Sequence, residues 1–399
     1  MSRKITNKPT IGIVLISVPS YSETFFQNKI KGLSQNGFNV ILFVDYLKNF
    51  ETRPPCKIIR ASNYDGSKLN RLLNASKAIL SAIFINPIKS FKLFKLDRKD
   101  GLPFKLCLKN VIRNQPFFKA HIDWLHFGFG TLTFNRENVA EVINAKMAVS
   151  FRGFDLYLSP LKHHDCYATL FDKNIRYHVL CNEMKTTLKT YHVNEEKIRI
   201  IPPAIDVDFF NSSAVKRNES EIINFTTVSR LHWKKGLVYT LEALAILKNK
   251  GLNFKFTIIG TGEEQERLVF AAYQLGILDD VIFAGKYSKE QVKDQLEQTN
   301  VYIQYSTQEG FCNAVLEAQS MGLLCVVSNA EGLSENVLHD QTGWVVQKRN
   351  PLALADRILK VLELSEDKKS NVRDRARMRA KNEFNLSIQE TSFIEFYKS

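Results

Sequence analysis

The sequence lacks closely spaced cysteines and lacks any apolar run long enough to cross a membrane. Its six cysteines stand apart along 399 residues and form no CxxC pair, which disfavours a disulfide framework and a zinc site. No stretch approaches the roughly 20 apolar residues that a bilayer-spanning helix needs. The early run IGIVLISV is short and ends at Pro19, so we interpret it as a buried strand rather than a signal peptide. These absences favour a reducing compartment.

Acidic residues are also scarce relative to basic ones. The chain has 55 Lys and Arg against 41 Asp and Glu, a net charge of +14, and a sequence pI near 9.3. This balance favours anionic partners, which include nucleic acids, acidic lipids and phosphorylated substrates. A solvated lysine-rich surface would produce the same balance without any binding site. The composition is that of a folded globular protein and gives little support to a disordered or fibrous chain.

Strands and helices alternate along the chain in two series. IGIVLIS, TFFQNKIKGLSQNG and FNVILFVDY predict a strand, a helix and a strand, and a right-handed crossover makes such a sheet parallel. A second series begins at IINFTTVSR, after a stretch rich in proline, serine and charge. We therefore predict an α/β protein with an N-terminal domain over 1–205 and a C-terminal domain over 206–399.

Residues 84–113 depart from this alternation, because Phe, Leu and Ile are interleaved there with Lys and Arg. Such a segment can lie in the headgroup region of an anionic membrane. It can equally be an irregular insertion whose lysines face water. It carries no nucleic-acid-binding signature, so between lipid and nucleic acid we favour lipid.

The stretch VYIQYSTQEGFCNAVLEAQSMG predicts a ligand site where a strand is followed by a helix. The helix begins around Cys312 or Asn313, and its unpaired N–H groups favour a phosphate. Gly310 allows a close approach of the backbone. Glu309 and Glu317 border the helix start, and carboxylates suit sugar hydroxyls better than phosphate. The alternative is that Glu309 caps the helix and Glu317 is a surface residue.

Three other loops are predicted at the same edge of the sheet, where parallel strands end and ligands bind. TVSRLHWKKG carries Arg230, Lys234 and Lys235, which can bind phosphate. IIGTGEEQERL carries Gly260 and Gly262, and SNAEGLSENV carries Glu331, Gly332 and Glu335. Each loop alone can be an exposed basic loop or a tight turn. Their shared position is what predicts a site.

These motifs resemble the retaining glycosyltransferases of family 4. QEGFCNAVLEA resembles the motif of two glutamates separated by seven residues, with Glu309 and Glu317 as the pair. VSRLHWKKG, GTGEEQERL and EGLSENV resemble further blocks of that family, in the expected order. The resemblance implies the GT-B fold, in which two Rossmann-like, doubly wound parallel-sheet domains face a cleft. It also implies that the C-terminal helix packs back on the N-terminal domain.

The first half resembles family members that build bacterial exopolysaccharide, capsule or lipopolysaccharide, such as the colanic-acid type. The blocks concerned are SYSETFFQNKIKGLSQNGFNV, LHFGFGT and SFRGFDL. Arg152 stands where many members have a histidine, and Tyr21, Ser22 and Glu23 replace a common glycine pair. Ser22, Glu23 and His126 are predicted on the acceptor side. For His126 the alternative is a buried polar residue.

The resemblance implies a role for each residue of the site. Arg230 and Lys235 stabilise the diphosphate, Glu309 contacts the hydroxyls of the donor sugar, and Glu317 contacts the ribose. Asp155 and Arg152 are expected near the sugar as further catalytic residues. The remaining donor-binding residues are predicted to be Gly310, Phe311, Cys312, Asn313, Gly260, Gly262 and Glu335.

The expected reaction is the transfer of a hexose-type sugar from a UDP- or GDP-sugar to a glycan or a lipid-linked oligosaccharide. No cofactor and no metal ion are expected, because two cations already face the phosphates. The expected place is the cytoplasm or the cytoplasmic face of the inner membrane. Alternatives are a sugar-nucleotide epimerase or a phosphorylase on the same fold, and a basic nucleic-acid-binding protein. For a glycosyltransferase, nucleic acid is not expected as a partner.

Overall fold

A computed structural model describes residues 8–19, 23–47, 54–60, 67–211 and 222–398. The chain forms two compact units. Unit 1 holds residues 1–179, 184–201 and 390–399, and unit 2 holds residues 180–183 and 202–389. The last ten residues thus belong with the N-terminal part of the chain, as predicted for the C-terminal helix.

Unit 1 is built on a seven-stranded parallel sheet in the described part of the chain. Its strand order is β3-β2-β1-β4-β5-β6-β7, the arrangement of a Rossmann-like fold. The first strand is buried on both faces, as its continuous apolar run predicts. The strands are β1 Thr10–Ser17, β2 Asn39–Tyr46, β3 Lys57–Arg60, β4 Trp124–Phe127, β5 Lys146–Ser150, β6 Ile175–Val179 and β7 Ile198–Ile200.

Helices cover the faces of this sheet. The predicted first helix is present, and it buries Phe26, Ile30 and Leu33 along one side. The basic stretch 84–113 is helical for most of its length, so it is not an irregular insertion. The α-helices up to the change of unit are α1 Thr24–Gln35, α2 Lys68–Leu80, α3 Pro87–Lys99, α4 Phe104–Arg113, α5 Val139–Val142, α6 Ser159–Lys162, α7 Ala168–Phe171 and α8 Asn182–Thr190.

Unit 2 is built on a six-stranded parallel sheet of order β10-β9-β8-β11-β12-β13 within the described residues. The strands are β8 Ile223–Val228, β9 Phe254–Ile259, β10 Val281–Gly285, β11 Val301–Gln304, β12 Leu324–Ser328 and β13 Trp344–Val346. The helices are α9 Leu237–Asn249, α10 Gln265–Gln274, α11 Lys289–Glu297, α12 Asn313–Ser320, α13 Leu333–Asn336, α14 Pro351–Leu362 and α15 Glu366–Glu383. Both units are therefore Rossmann-like, as the resemblance to family 4 implies.

The final helix, α16 Leu386–Lys398, contributes its last residues to the core of unit 1. Phe393, Phe396 and Tyr397 are buried there, and Trp124 Nε1 donates a hydrogen bond to the Tyr397 carbonyl at 3.0 Å. In the part of the chain that is described, no helix is long and apolar enough to cross a membrane.

Candidate functional site

Loops from four neighbouring strands of unit 2 lie along one edge of its sheet. Strands β9, β8, β11 and β12 are adjacent in that order and parallel, so their carboxyl ends meet at this edge. In open α/β sheets this is the edge where ligands bind. The loops that follow the four strands are 260–264, 229–236, 305–312 and 329–332.

Two glycines allow these loops to touch through their backbones. Gly260 has a φ of +137°, and a Cβ there would lie 1.9 Å from the Ser229 carbonyl oxygen. A Cβ on Gly332 would lie 1.8 Å from the Gly310 carbonyl oxygen. No side chain fits at either position. The glycine motif around Gly260 and Gly262 therefore brings the loops together, whatever else it contacts.

Lys235 and Glu309 form an ion pair between two of these loops. Lys235 Nζ donates to Glu309 Oε2, and Ser306 Oγ donates to the same oxygen at 3.3 Å. The two side chains are only 12% and 13% exposed. Burial by itself lowers the pKa of Lys235, but the Glu309 carboxylate outweighs burial, and the pKa is raised. Lys235 is therefore charged at neutral pH.

Two more cations stand in the same loop. The Arg230 side chain is exposed, while Lys234 is half-buried. Burial lowers the pKa of Lys234, and the adjacent positive charges of Lys235 and Arg230 act in the same direction. The Lys234 carbonyl accepts hydrogen bonds from the Thr307 and Gln308 amides at 2.7 and 3.2 Å. This pairing fixes the basic loop beside the loop of Glu309.

Glu331 and Lys348 hold the backbone of Glu309. The Glu309 amide donates to Glu331 Oε2 at 2.9 Å, and Lys348 Nζ donates to Glu331 Oε1 at 2.9 Å. Glu331 has a positive φ of 21°, an uncommon conformation for a residue with a side chain. Local strain of this kind persists where neighbouring contacts hold it in place.

Helix α12 begins beside this loop and has no anionic cap. Cys312 is its N-cap residue, no side chain caps it, and no acidic residue stands in its first turn. The Cys312 amide donates to Asn336 Oδ1 at 2.9 Å, and Asn336 Nδ2 donates back to the Cys312 carbonyl at 3.1 Å. The partial positive charge of this helix start is therefore available to an anion next to Lys235.

Comparison with known proteins identifies a family match in the part of the chain that carries these loops. Residues 208–382 match the family described as Glycosyl transferases group 1. The chain carries a glycosyl transferases group 1 domain. The four loops and helix α12 all lie within the matched residues.

Two relatives match nearly the whole chain. WcaL of Escherichia coli (strain K12), named as a colanic acid biosynthesis glycosyltransferase, is 25% identical over 95% of this chain and 97% of its own. AmsK of Erwinia amylovora, named as an amylovoran biosynthesis glycosyltransferase, is 26% identical over 94% and 96%. Among solved structures, Anabaena HepE in complex with UDP-glucose is 15% identical, covers 98% of this chain and 99% of its own, and has a TM-score of 0.72. This last likeness concerns the fold.

Within the group 1 domain, Glu317 lies one turn into helix α12 and is partly buried. Burial raises the pKa of its carboxyl to about 7, although the positive charge of Lys289 acts in the opposite direction. Phe311 packs against Phe384, with ring centroids 5.6 Å apart. The sequence-based alternative of a solvated surface carboxylate does not describe Glu317.

Glu335 is a predicted donor-binding residue whose carboxylate already has partners. Glu335 Oε2 accepts hydrogen bonds from the Asn182 amide and from Asn182 Nδ2, each at 2.9 Å, and Oε1 accepts from the Glu183 amide at 2.9 Å. These bonds give it a structural role in unit 2. A contact with the donor would have to compete with three hydrogen bonds.

In unit 1, Asp155 and Arg152 lie in one turn after strand β5. Asp155 is buried, and its carboxylate accepts hydrogen bonds from Thr131 Oγ1, the Thr131 amide and the Arg152 amide at 3.1 to 3.2 Å. The Arg152 guanidinium carbon lies 3.8 Å from the ring centroid of Phe25. Burial lowers the pKa of Arg152 to about 10, which the charges of Asp155 and Glu23 oppose. The side chain therefore remains charged at neutral pH.

The remaining predictions in unit 1 fare differently. His126 is fully buried between strands, so the alternative interpretation as a buried polar residue describes its position and an acceptor contact does not. Glu23 precedes helix α1 and is half-buried. Ser22 lies outside the described residues.

The structure also brings in three residues that the sequence did not single out: Ser306, Asn336 and Lys348. They bind Glu309, Cys312 and Glu331. Ser306 and Asn336 stand within the loop motifs that were recognised, three residues before Glu309 and four after Gly332. Their types suit hydrogen bonding in a tight loop, which is the signal that was available.

Proposed function

We propose that this chain transfers a hexose-type sugar, with retention of configuration, from a nucleoside-diphosphate sugar to a glycan or lipid-linked acceptor. The proposed setting is the synthesis of bacterial cell-surface polysaccharide, as in the names of WcaL and AmsK. The single observation that carries the proposal is the Lys235–Glu309 pair beside the start of helix α12, inside a glycosyl transferases group 1 domain. A UDP- or GDP-sugar is the expected donor.

The cations and the helix start suit the donor diphosphate. As the bond from the sugar C1 to the phosphate oxygen breaks, negative charge grows on the leaving nucleoside diphosphate. Lys235, Arg230 and the amides at the start of α12 offer fixed positive charge to that group. The acceptor hydroxyl forms the new bond to C1, and its proton passes to the departing phosphate oxygen, so no further reactant is needed. If the acceptor hydroxyl attacks C1 on the same face of the sugar from which the diphosphate departs, the configuration at C1 is retained.

The ion pair gives Glu309 a second part in this scheme. Without donor, Lys235 and Glu309 neutralise each other in a nearly buried place, where an unpaired charge would be costly. A diphosphate offers Lys235 another partner. The Glu309 carboxylate can then accept hydrogen bonds from hydroxyls of the donor sugar, while Glu317 contacts the ribose.

On the N-terminal side, Arg152 and Asp155 are proposed near the donor sugar. The hydrogen bonds of Asp155 fix the turn that carries Arg152, so Asp155 would act through positioning. Contact of residues 84–113 with an anionic membrane, on its cytoplasmic face, belongs to the same proposal.

Thermal-shift measurements with UDP-, GDP- and ADP-sugars test donor binding, because a ligand of the native state raises its apparent stability. We expect one sugar nucleotide to stabilise wild-type protein and not the Glu309→Gln variant. Product analysis then separates the alternatives, since an epimerase alters the donor without acceptor and a phosphorylase requires phosphate. Transfer in excess chelator is expected, and its loss with rescue by magnesium or manganese would contradict metal independence.

A further inference from the structure

Exposed apolar side chains are concentrated in one short part of unit 1. Of 28 large hydrophobic residues exposed in the described chain, twelve lie between residues 69 and 108. Ile88 is 83% exposed and Phe84 is 75% exposed. We call residues 67–113, which carry these side chains, the helical platform; its exposed apolar residues are Leu69, Leu72, Leu73, Ile79, Leu80, Ile83, Phe84, Ile85, Ile88, Phe91, Phe104 and Leu108.

Helix α2 and the turn after it place their apolar residues on one side. Leu69, Leu72, Leu73, Leu80 and Ile83 follow the spacing of an amphipathic helix, and Ser81–Ile85 continues the helix as a π-helical turn. In a globular protein such a stripe faces the core, but here these side chains are 49% to 71% exposed. The apolar stripe therefore does not pack against the described part of the chain and is available to a partner.

The platform is strongly basic, and its two carboxylates are bound by other side chains of the protein. Residues 67–113 contain eleven Lys and Arg and only two acids, Asp97 and Asp100, a net charge of +9 out of +14 for the chain. Asp97 is buried and accepts hydrogen bonds from Asn110 Nδ2 at 2.8 Å and Asn138 Nδ2 at 2.9 Å. Asp100 pairs with Lys173 at 2.6 Å. Within residues 67–113, apolar and positive groups therefore share the outer face without an unpaired carboxylate.

The platform is supported by a packed interior. Leu93 and Cys107 are fully buried beneath helices α3 and α4. Gln115 Oε1 accepts hydrogen bonds from Ser81 Oγ at 3.1 Å and Asn86 Nδ2 at 3.2 Å, and Gln115 Nε2 donates to Ser90 Oγ at 2.9 Å. Its outer face is therefore presented by a fixed structure.

We propose that the helical platform docks on the surface of an anionic phospholipid bilayer. Helix α2 would lie in the headgroup region with its apolar stripe toward the acyl chains, and the lysines of α3 and α4 would meet the lipid phosphates. Charge and side-chain type decide the occupant, because a net charge of +9 with interleaved leucines and isoleucines complements anionic lipid, whereas bases stack on aromatic rather than aliphatic side chains. Membrane docking deepens the proposed function. It rests on that function in one respect, which is the lipid-linked acceptor named there.

Vesicle co-sedimentation of the full chain tests the platform. Wild-type protein is expected to bind vesicles of equal parts phosphatidylglycerol and phosphatidylethanolamine, to release them as salt is raised, and to bind phosphatidylcholine vesicles weakly. Leu72→Gln with Phe84→Gln should weaken the partition coefficient at least about tenfold. The control, Leu161→Gln with Phe270→Gln, alters exposed apolar residues outside the platform and should bind as wild type.

A second pair of variants tests the charges. Lys95→Gln with Lys99→Gln should weaken binding about fivefold per lysine at low salt and flatten its salt dependence. Lys250→Gln with Lys381→Gln, in unit 2, is the matched control. The proposal fails if wild-type protein does not bind anionic vesicles, or if platform and control variants lose binding equally. It also fails if the platform residues instead mediate concentration-dependent self-association without lipid.

Donor-induced thermal shifts separate this result from the proposed function. Platform variants should keep the wild-type shift, because the four loops of the site lie in unit 2. Vesicle binding without any sugar-nucleotide shift would leave the platform supported and contradict the donor proposal. A sugar-nucleotide shift without vesicle binding would support the donor proposal and contradict membrane docking by the platform.

Discussion

The Lys235–Glu309 pair links the charge of the candidate site to its proposed chemistry. Both groups are nearly buried, and the Glu309 carboxylate raises the pKa of Lys235 against the effect of burial. Removal of one partner would leave a charge in a poorly solvated place, which costs about 3 kcal/mol or more. The same substitution removes a cation from the position proposed for the leaving diphosphate. Stability and transfer therefore depend on the pair in different ways.

We expect Lys235→Met to lower the free energy of unfolding by about 3 kcal/mol and the transfer rate by about a hundredfold or more. The double variant Lys235→Met with Glu309→Gln should recover much of the stability, because no unpaired charge remains, but none of the activity. Urea denaturation and initial rates of transfer measure the two effects. Lys250→Met, which breaks an exposed pair with Asp356, is the control. Equal recovery of stability and activity would contradict the role in catalysis.

Glu317 offers a test based on its pKa. Burial raises this pKa to about 7 in the folded chain, against 4.5 for an ordinary Glu. Between these values the folded state binds more protons than the unfolded state, so stability from this group falls as pH rises from about 4.5 to about 7. Glu317→Gln should remove this loss. It should be more stable than wild type by up to about 3 kcal/mol near pH 8, and nearly equal near pH 4.

The same variant should bind sugar nucleotide more weakly, because an amide replaces the carboxylate proposed to accept from the ribose. Denaturation of both proteins at each pH isolates the Glu317 contribution from other titrating groups. Calorimetric titration with the donor measures the second effect. A variant with unchanged stability near pH 8 would show that the carboxyl is hydrated.

Three of the glutamates in these motifs, Glu309, Glu317 and Glu335, show how much of the site could be predicted from the sequence. Glu309 and Glu317 were recognised from their spacing, and as expected Glu309 precedes helix α12 while Glu317 lies one turn into it. Their differing environments depend on contacts with residues far along the chain, which spacing cannot reveal. Glu335 resembles a ligand residue equally well in the sequence, yet it accepts hydrogen bonds from the backbone about 150 residues earlier, at Asn182 and Glu183.

Among the elements of unit 1, strands β4, β5 and β6 share a buried polar chain with helix α16. His178 Nε2 lies 2.9 Å from the Ile201 carbonyl, which can only accept, so this nitrogen carries the proton. His178 Nδ1 must then accept from Ser150 Oγ at 2.7 Å, and Ser150 Oγ accepts from His126 Nε2 at 2.7 Å. His126 Nδ1 therefore accepts from the Tyr397 hydroxyl at 2.6 Å.

Tyr397→Phe tests this order of donors and acceptors. It removes the hydroxyl that His126 Nδ1 accepts from and should lower the free energy of unfolding by about 1 to 2 kcal/mol. Burial lowers the pKa of both histidines well below the usual value, so both rings should be neutral at neutral pH with the proton on Nε2. Nitrogen NMR of the imidazoles measures the tautomers. Protonated Nδ1 on either ring in wild-type protein would contradict the assignment.

The elements themselves were largely accessible from sequence. The predicted strand, helix and strand at the start correspond to β1, α1 and β2, because apolar spacing and Gly37 define them locally. Helix α2 was not predicted, although Leu69, Leu72 and Leu73 have helical spacing; that these residues are exposed depends on tertiary contacts, which spacing does not show. Whether His126 is buried also could not be decided from the sequence, because the strand WLHF does not show which residues cover this side chain.

For the chain as a whole, the final residues return to the first unit. Phe393, Phe396 and Tyr397 are each at most 4% exposed in the core of unit 1, with Trp124 beside Tyr397. Loss of two phenylalanines and a tyrosine from a packed core exceeds the stability of many domains, at about 3 kcal/mol or more for each aromatic side chain. The four loops of the proposed donor site contain none of these residues.

A chain that ends after Gln389 should therefore lose protection from hydrogen exchange throughout β1, β4, β5 and β6, while β8, β9, β11 and β12 stay protected. Mass spectrometry of exchanged peptides measures both units in one sample, so unit 2 serves as the internal control. Sugar-nucleotide binding should persist, because Arg230, Lys235 and Glu309 remain in a folded unit. Uniform loss of protection would mean that unit 2 depends on unit 1 for its fold, and unchanged protection in β4 would contradict the core role of Phe393, Phe396 and Tyr397.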